Sequence, residues 1–468
     1  MKLSKGQILD LDITSLAYGG MGISHYEDMI IFVKGAIPGE KVKAKIYKKK
    51  KNYLEAYSVE NIKASKHSTN PVCEHFGVCG GCSFQNLNYD EQLNQKNMQV
   101  RDLFTRIGGI TSPNINQIIG CKEYYNYRNK MEFSYSSNKW IVNLESHDED
   151  KNQNAFGLHV KGRFDKIVDI NDCHITGSLS NQIFKSIKSQ LILNKIKPFN
   201  IKARTGYLRN VIIREGHQTN QISVNFIVTS TEIKELLPIV NSITKKHEEI
   251  KSVKSTTVKP NSGSSFSDQE KILYGEDYIS EKIGNYLYKI SSNSFFQTNS
   301  KQSKVLYDLI VKAADFKGDE VVYDLYCGTG SIGIYIAKYV KMVYGIELVM
   351  SAVIDAIENA KNNKIKNIQF FHGDLINTFQ NNPELKLIKN PDVIILDPPR
   401  PGIHINTIAE IVNFNPKKII YVSCNPSTQA RDVNILIQNG YQLINMQPVD
   451  MFPHTPHIEN IVLLTKYE

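Results

Sequence analysis

The chain has 468 residues and a formal net charge of +9, with 41% hydrophobic and 22% charged residues. Its length predicts about three domains, its composition is typical of globular proteins, and its moderate excess of basic residues is compatible with a nucleic-acid partner. No run of about 18 apolar residues occurs, which excludes a membrane-spanning helix, and the polar first residues lack the apolar core of a secretion signal, so a cytoplasmic location is expected.

The first 62 residues are predicted to form a small β-barrel. Short β-type runs, such as residues 29–33 and 41–47, alternate with turns that contain glycine or proline, which is the pattern of a compact all-β domain. Residues 19–23, 32–35 and 37–42 resemble segments of the TRAM domain, a small RNA-binding barrel. This resemblance implies that the N-terminal domain contacts RNA.

Three cysteines follow this domain at a spacing that indicates a metal centre. Cys73, Cys79 and Cys82 form the pattern C-x5-C-x2-C, and in a chain without a secretion signal such cysteines favour metal binding over disulfides. A fourth ligand has to come from elsewhere, and Cys121 and Cys173 are the candidates. Four thiolates suit zinc or an iron–sulfur cluster. Because zinc ribbons usually pair two C-x2-C knuckles and this region has one, the pattern favours a [4Fe–4S] cluster.

Residues 63–292 are predicted to form a central domain of mixed strands and helices that carries this metal centre. Within it, residues 124–130 and 206–214 interleave aromatic and basic side chains. Segments of this kind stack on bases and neutralise phosphates in RNA-binding proteins, although ordinary half-buried strands have a similar pattern.

From residue 293 to 468 the chain alternates strands and helices in the β-α-β pattern of a parallel sheet. After the first predicted strand, Gly328, Gly330 and Gly333 have the G-x-G-x-x-G spacing of a nucleotide-binding turn. Asp324 lies near the end of that strand, where a carboxylate would repel a pyrophosphate but suits a ligand with an amino group. The turn therefore favours S-adenosylmethionine over a nicotinamide dinucleotide.

Acidic side chains end or follow the next three predicted strands. Glu347 is placed to accept hydrogen bonds from ribose hydroxyls, and Asp374 is expected on the adenine side of the same ligand. Asp397 begins the sequence Asp-Pro-Pro-Arg, whose two prolines fix a rigid loop and hold Asp397 and Arg400 at the mouth of the pocket. Carboxyl ends of parallel strands meet at one edge, so these side chains are expected to share a site.

The fifth strand carries the residue expected to react. Residues 419–423 are followed by Cys424 and by Asn425-Pro426, which end the strand abruptly. Position alone leaves open whether Cys424 is an exposed nucleophile or a buried structural cysteine. Glu459 precedes the last strand, and by itself it is typical of an exposed turn. A thiol, a carboxylate and S-adenosylmethionine together fit methylation at carbon 5 of a pyrimidine, with the target base out of its stack.

Across its whole length the sequence resembles the RNA uracil-5-methyltransferases of the bacterial ribosomal type. The resemblance implies a multidomain α/β protein with a TRAM barrel, a mixed central domain with an iron–sulfur cluster, and a C-terminal Rossmann-like methyltransferase domain. It implies Cys424 as nucleophile and Glu459 as base. It also implies the following ligands: Cys73, Cys79, Cys82 and Cys173 for a [4Fe–4S] cluster, and Gln297, Tyr326, Glu347 and Asp397 for S-adenosylmethionine. The expected substrate is RNA. Ribosomal RNA of the 23S type is favoured, and tRNA is the alternative.

Two other functions remain open on the sequence. The chain could be an iron–sulfur RNA-binding protein with a vestigial methyltransferase fold, although Cys424 together with Glu459 argues against that function. DNA cytosine-5 methylation shares the thiol chemistry, and the TRAM-like segment argues against it. No pattern indicates an obligate protein partner.

Overall fold

The computed structural model describes residues 3–141, 154–267, 269–291, 294–375 and 388–467. The predicted boundary between the second and third domains, at residues 292 and 293, lies outside the described residues. Throughout the described ranges, no helix combines the length and the apolar composition that a bilayer crossing needs.

The N-terminal region forms one six-stranded sheet whose order is β1-β5-β6-β4-β3-β2. Alternate side chains of its fifth strand, Val42, Ala44 and Ile46, are at most 1% exposed, because successive residues of a strand point to opposite faces. The strands are β1 (Ile8–Asp12), β2 (Ser15–Leu16), β3 (Gly22–Tyr26), β4 (Met29–Lys34), β5 (Lys41–Lys49) and β6 (Tyr53–Lys63).

The middle of the chain forms a seven-stranded sheet of order β13-β12-β11-β10-β7-β8-β9, in which only β11 and β12 pair in parallel. Two helices, α2 and α3, contribute apolar residues to the core of this sheet. The elements are α1 (Tyr89–Arg106), β7 (Lys130–Ser136), β8 (Ala155–His159), β9 (Ile167–Asp169), α2 (Ser178–Leu193), β10 (Leu208–Gly216), β11 (Gln221–Val228), α3 (Leu237–Lys246), β12 (Ile250–Thr257) and β13 (Glu270–Gly275). A hairpin of β14 (Tyr278–Ile283) and β15 (Tyr286–Ser291) follows.

The C-terminal region contains the β-α-β alternation expected from the sequence. Its seven-stranded sheet has the order β18-β17-β16-β19-β20-β22-β21; neighbours from β18 to β20 pair in parallel, and β22 is antiparallel to both of its neighbours. The elements are α4 (Ser300–Ala314), β16 (Val321–Leu325), α5 (Ser331–Ile336), β17 (Met342–Glu347), α6 (Met350–Asn362), β18 (Ile368–His372), β19 (Val393–Leu396), α7 (Ile405–Phe414), β20 (Lys418–Ser423), α8 (Pro426–Gln438), β21 (Tyr441–Val449) and β22 (Glu459–Lys466).

Strand order reverses direction between β16 and β19, which are neighbours in space but not in sequence. In open α/β sheets, ligands bind beyond the carboxyl ends of the strands at such a switch point. The fold therefore places a binding crevice where the sequence places its acidic residues and Cys424.

Helix α1 lies between the first two sheets in sequence but packs against the third. Its Val100 and Phe104 belong to the same buried cluster as β16, β19 and β20. Lys96 of α1 forms an ion pair with Asp450 at 2.7 Å, and both side chains are at most 1% exposed. A buried pair of this kind is costly to break from one side, so α1 holds the loop between β21 and β22 in place.

Candidate active site

A cavity of about 540 Å³ opens at the carboxyl ends of the parallel strands. Its size is in the range of pockets that hold a small-molecule ligand. The structure brings together in its lining all six side chains that the sequence proposed for cofactor binding and catalysis: Gln297, Tyr326, Glu347, Asp397, Cys424 and Glu459.

The turn after β16 forms one wall of the cavity and depends on glycine. Gly330 has φ of 75°, and a Cβ atom there would lie 2.6 Å from Cζ of Phe370. Any larger residue would therefore strain the backbone and push the turn away from the sheet. Tyr326 also has a positive φ, 65°, although it carries a side chain. Strained residues of this kind cluster at binding sites, where the surrounding structure holds them in position.

Glu347 lies at the end of β17 and is held by two backbone donors. Its Oε2 accepts a hydrogen bond from Gly328 N at 3.0 Å, and its Oε1 accepts one from Val349 N at 2.9 Å. Each carboxylate oxygen keeps further acceptor capacity, so Glu347 can still receive the hydroxyls of a ribose. Asp374 also lines the cavity, as the sequence suggested.

Asp324 does not occupy the place that the sequence argument gave it. Its side chain is fully buried beneath the glycine turn, where Oδ2 accepts a hydrogen bond from Gly333 N at 2.9 Å. Burial raises the pKa of Asp324 to about 8. This carboxyl group shapes the turn from below and is not part of the cavity lining, so the expectation that it contacts an amino group is wrong for this geometry.

Cys424 and Glu459 come together through strand register. Strands β20 and β22 are antiparallel, and Ser423 pairs with Asn460. Cys424 and Glu459 are the next residues beyond this pair, at the same end of the two strands, and both line the cavity. Asn425 then caps α8, its side chain accepting from Ser427 N at 3.2 Å. Strand, turn and cap fix the position of the thiol.

The electrostatics of this pair are set by burial and by two neighbours. Glu459 is 3% exposed, and burial together with the nearby Asp397 carboxyl raises its pKa well above the usual range. Burial, Glu459 and Asp397 raise the pKa of Cys424 to about 11, while the Arg400 guanidinium opposes the shift. Burial raises the pKa of Asp397 to about 7. Burial and the neighbouring carboxyls therefore favour the protonated forms of the thiol and of Glu459, and Arg400 opposes both shifts.

We expect alkylation of Cys424 by iodoacetamide in the cofactor-free protein to accelerate about tenfold per pH unit from pH 7 to 9.5, because only the thiolate reacts and the raised pKa leaves it scarce. Arg400→Gln removes the opposing cation and should slow the reaction further. Mass spectrometry of the peptide that contains Cys424 separates it from the other cysteines. A rate that levels off below pH 9 would contradict this assignment of the pKa.

The four cysteines assigned to the cluster line a single second cavity. Cys73, Cys79, Cys82 and Cys173 face it. Cys121, the other candidate for the fourth ligand, lies elsewhere and donates from Sγ to the Asp450 carbonyl at 3.0 Å. Within the described ranges, no three His, Cys, Asp or Glu side chains converge closely enough to bind one metal ion.

Two residues at the site were not found by the sequence argument. Phe295 lines the cavity and is 67% exposed; its Phe-Phe-Gln context is a signal that could have been followed. Tyr18, in the turn between β2 and β3, packs against the core cluster that contains Ile458 and against which Tyr326 also packs. Nothing in the local pattern around Tyr18 indicates that the N-terminal domain reaches the active site.

The switch-point crevice, glycine turn and strand-end carboxylates define an α/β enzyme that binds a nucleoside cofactor. The sequence profile described as tRNA (Uracil-5-)-methyltransferase matches residues 244–467, and the TRAM domain profile matches residues 2–59. An uncharacterized RNA methyltransferase of Chlorobaculum tepidum is 36% identical over 100% of this chain and 98% of the relative, and one of Bacteroides thetaiotaomicron is 38% identical over 96% and 99%.

Among solved structures, a Pyrococcus abyssi tRNA (uracil-54, C5)-methyltransferase in complex with S-adenosyl-L-homocysteine is similar, with a TM-score of 0.76 and 27% identity. The similarity covers 98% of this chain and 100% of that one. The chain belongs to the RNA uracil-5-methyltransferase family, and it is an S-adenosylmethionine-dependent enzyme with an N-terminal TRAM domain.

Proposed function

We propose that this protein methylates carbon 5 of a uridine in 23S ribosomal RNA, with Cys424 as nucleophile and Glu459 as base. The observation that carries the proposal is that Cys424 and Glu459, which lie just beyond the last residue pair between β20 and β22, line the same cavity as the four proposed cofactor contacts. A nucleophile and a base at one edge of a single extruded ring are what addition and elimination on a pyrimidine require.

The residues divide the reaction into two easier halves. The Cys424 thiolate, stabilised by Arg400, adds to carbon 6 of the uracil ring and makes carbon 5 nucleophilic. S-adenosylmethionine supplies the electrophilic methyl group that carbon 5 takes. The ionised carboxylate of Glu459 then accepts the proton from carbon 5, the carbon–sulfur bond breaks, and Cys424 leaves as the thiolate. The raised pKa of Glu459 suits this task, because its buried environment favours the protonated product of the transfer.

The proposed cofactor contacts surround the nucleoside and the reacting sulfonium from several elements. Glu347 is pre-oriented by two backbone N–H groups to accept the ribose hydroxyls. Gln297 precedes α4, and the carbonyl of Gln297 accepts from Asn129 Nδ2 of the middle domain at 3.1 Å. Asp397 lines the cavity together with Cys424, so its charge can favour a sulfonium cation next to the nucleophile.

The choice between ribosomal RNA and tRNA can be tested directly. TRAM and the four-cysteine cavity favour ribosomal RNA, whereas similarity over the full length to a Pyrococcus abyssi tRNA enzyme supports tRNA as the second candidate. We expect incubation with methyl-labelled S-adenosylmethionine to place 5-methyluridine in 23S transcripts, read by nucleoside chromatography. Product in tRNA alone would favour the second candidate, and product in neither RNA would contradict the proposal.

We propose further that Cys73, Cys79, Cys82 and Cys173 bind a [4Fe–4S] cluster. Support comes from their joint position around one cavity and from the C-x5-C-x2-C spacing of the first three. In a cluster of this type the thiolates bind different irons, so the sulfurs surround the cluster, whereas a zinc site would draw them to one ion. No step of the methyl transfer is assigned to it.

Anaerobically purified protein is expected to contain about four irons and four sulfides per chain and to absorb near 400 nm, since four cysteines are the usual ligands of such a cluster. Cys79→Ala should lower the iron content and destabilise the middle domain before it weakens cofactor binding. Cys121→Ala, which removes a buried thiol outside the cavity, is the matched control and should keep its iron. Equal iron in both variants, or stoichiometric zinc, would refute the cluster.

A further inference from the structure

A tight turn of the TRAM domain packs against the loop that leads into Glu459. Residues 17–21 close on themselves through hydrogen bonds from Ala17 N to Met21 O and from Gly20 N to Ala17 O, both 2.8 Å. A Cβ atom on Gly20, whose φ is 90°, would lie 2.9 Å from Cζ of Phe84 and 3.4 Å from Cβ of Pro456. The backbone of the turn therefore lies directly on the loop that leads into Glu459.

Helix α1 fixes the turn and that loop to each other. Gln95 Oε1 accepts from Leu16 N at 2.8 Å, and Gln99 Nε2 donates to Leu16 O at 3.2 Å. On the same helix, Gln92 Oε1 accepts from His454 N at 3.0 Å. All three glutamines are at most 5% exposed. Such buried bonds hold geometry well, so the position of the turn relative to the active site is determined by the fold.

The side chain at the tip of this turn is Tyr18, which is half-buried against the C-terminal core. Burial, together with the charges of Cys424 and Glu459, raises the pKa of Tyr18 to about 12, and Arg400 opposes the shift. The phenol therefore stays neutral and keeps its O–H as a donor. Tyr18 is outside the lining of the cofactor cavity, and among the described residues no hydrogen-bond partner of its hydroxyl is found.

We propose that Tyr18 is a substrate-positioning residue whose hydroxyl donates a hydrogen bond to the extruded uridine nucleotide. This hydrogen bond would couple the docking of the TRAM domain on RNA to the positioning of the base next to Cys424. The inference rests on the proposed function and deepens it. It gives the N-terminal domain a role at the reacting nucleotide in addition to the RNA binding expected of a TRAM domain.

The experiment uses the full chain and a transcript with 5-fluorouridine at the target, and measures the single-turnover rate of covalent adduct formation. Tyr18→Phe removes only an oxygen and keeps the packing, so we expect a rate about 3–10-fold lower, the loss typical of one hydrogen bond. Tyr18→Ala should lower the rate by at least about 10-fold because the aromatic surface is lost as well. Cofactor affinity and melting temperature of Tyr18→Phe should equal those of the unaltered chain.

Tyr26→Phe is the matched control, because Tyr26 is also a half-buried tyrosine of the same domain but packs on that domain's own core. It should react at the rate of the unaltered chain. Equal rates for Tyr18→Phe and the unaltered chain, or equal losses in both tyrosine variants, would overturn the inference alone. An unaltered chain that forms neither adduct nor 5-methyluridine would instead contradict the proposed function, and the inference with it.

Discussion

Cys424→Ala is expected to abolish RNA methylation, with a loss of at least about 10⁴-fold in turnover, because carbon 5 of uracil is not nucleophilic until a thiolate has added to carbon 6. The same variant should bind S-adenosylmethionine with unchanged affinity. Cys424 follows β20, whereas the proposed ribose contact is Glu347 at the end of β17. Loss of turnover with retained cofactor affinity separates a reacting thiol from a structural one.

The adduct assay gives this prediction a direct readout. With 5-fluorouridine at the target, Glu459 has no proton to remove after methyl transfer, so the unaltered chain should remain attached to the transcript and migrate as a larger species in a denaturing gel. Cys424→Ala should show none of that species. Cys121→Ala removes a buried thiol outside the cavity; it is the control and should retain the covalent species. A Cys424→Ala protein that still forms the covalent species would require a different nucleophile.

Much of the C-terminal site could be predicted because strands and turns are local in sequence. The apolar runs before Glu347, Asp397 and Cys424 are the strands β17, β19 and β20, and parallel pairing brings their carboxyl ends together regardless of other detail. The glycine spacing after β16 likewise reflects a local backbone need, seen in the positive φ of Gly328 and Gly330.

The rest depended on tertiary relations that local patterns do not encode. Glu459 has the local pattern of an exposed turn residue, yet it begins β22, which pairs with β20, and it is buried in the cavity that Cys424 also lines. Asp324 has the pattern of a ligand-binding acid, yet it lies under the turn because its nearest donor is Gly333 N. Tyr18 reaches the site only because α1 connects the TRAM sheet to the last loop. Register, burial depth and domain docking are each set by residues distant in sequence.

Glu459→Gln should stop the reaction after methyl transfer and before the proton leaves carbon 5. Burial raises the pKa of Glu459 and so favours its protonated form. Glutamine closely matches a protonated carboxyl in shape and charge, so Cys424 should keep its environment. Addition of the thiolate and methyl transfer should then proceed at rates within a few-fold of normal, whereas proton removal from carbon 5 loses its base. We expect steady-state turnover to fall by about 10²–10⁴-fold, the usual contribution of a positioned general base.

The decisive observation is therefore a methylated covalent complex that accumulates with ordinary uridine, without any fluorine. Labelled methyl should comigrate with the Glu459→Gln protein on a denaturing gel, and the unaltered chain, which completes elimination, should show little of it.

Elimination in the unaltered chain should speed up as pH rises toward the raised pKa of Glu459, because the carboxylate is the active form, and this dependence should disappear in Glu459→Gln. Glu459→Asp keeps a carboxylate on a shorter side chain, so its turnover should lie between that of the unaltered chain and that of Glu459→Gln. Normal turnover by Glu459→Gln would remove Glu459 from the mechanism, whereas loss of the covalent complex would assign it to addition of the thiol.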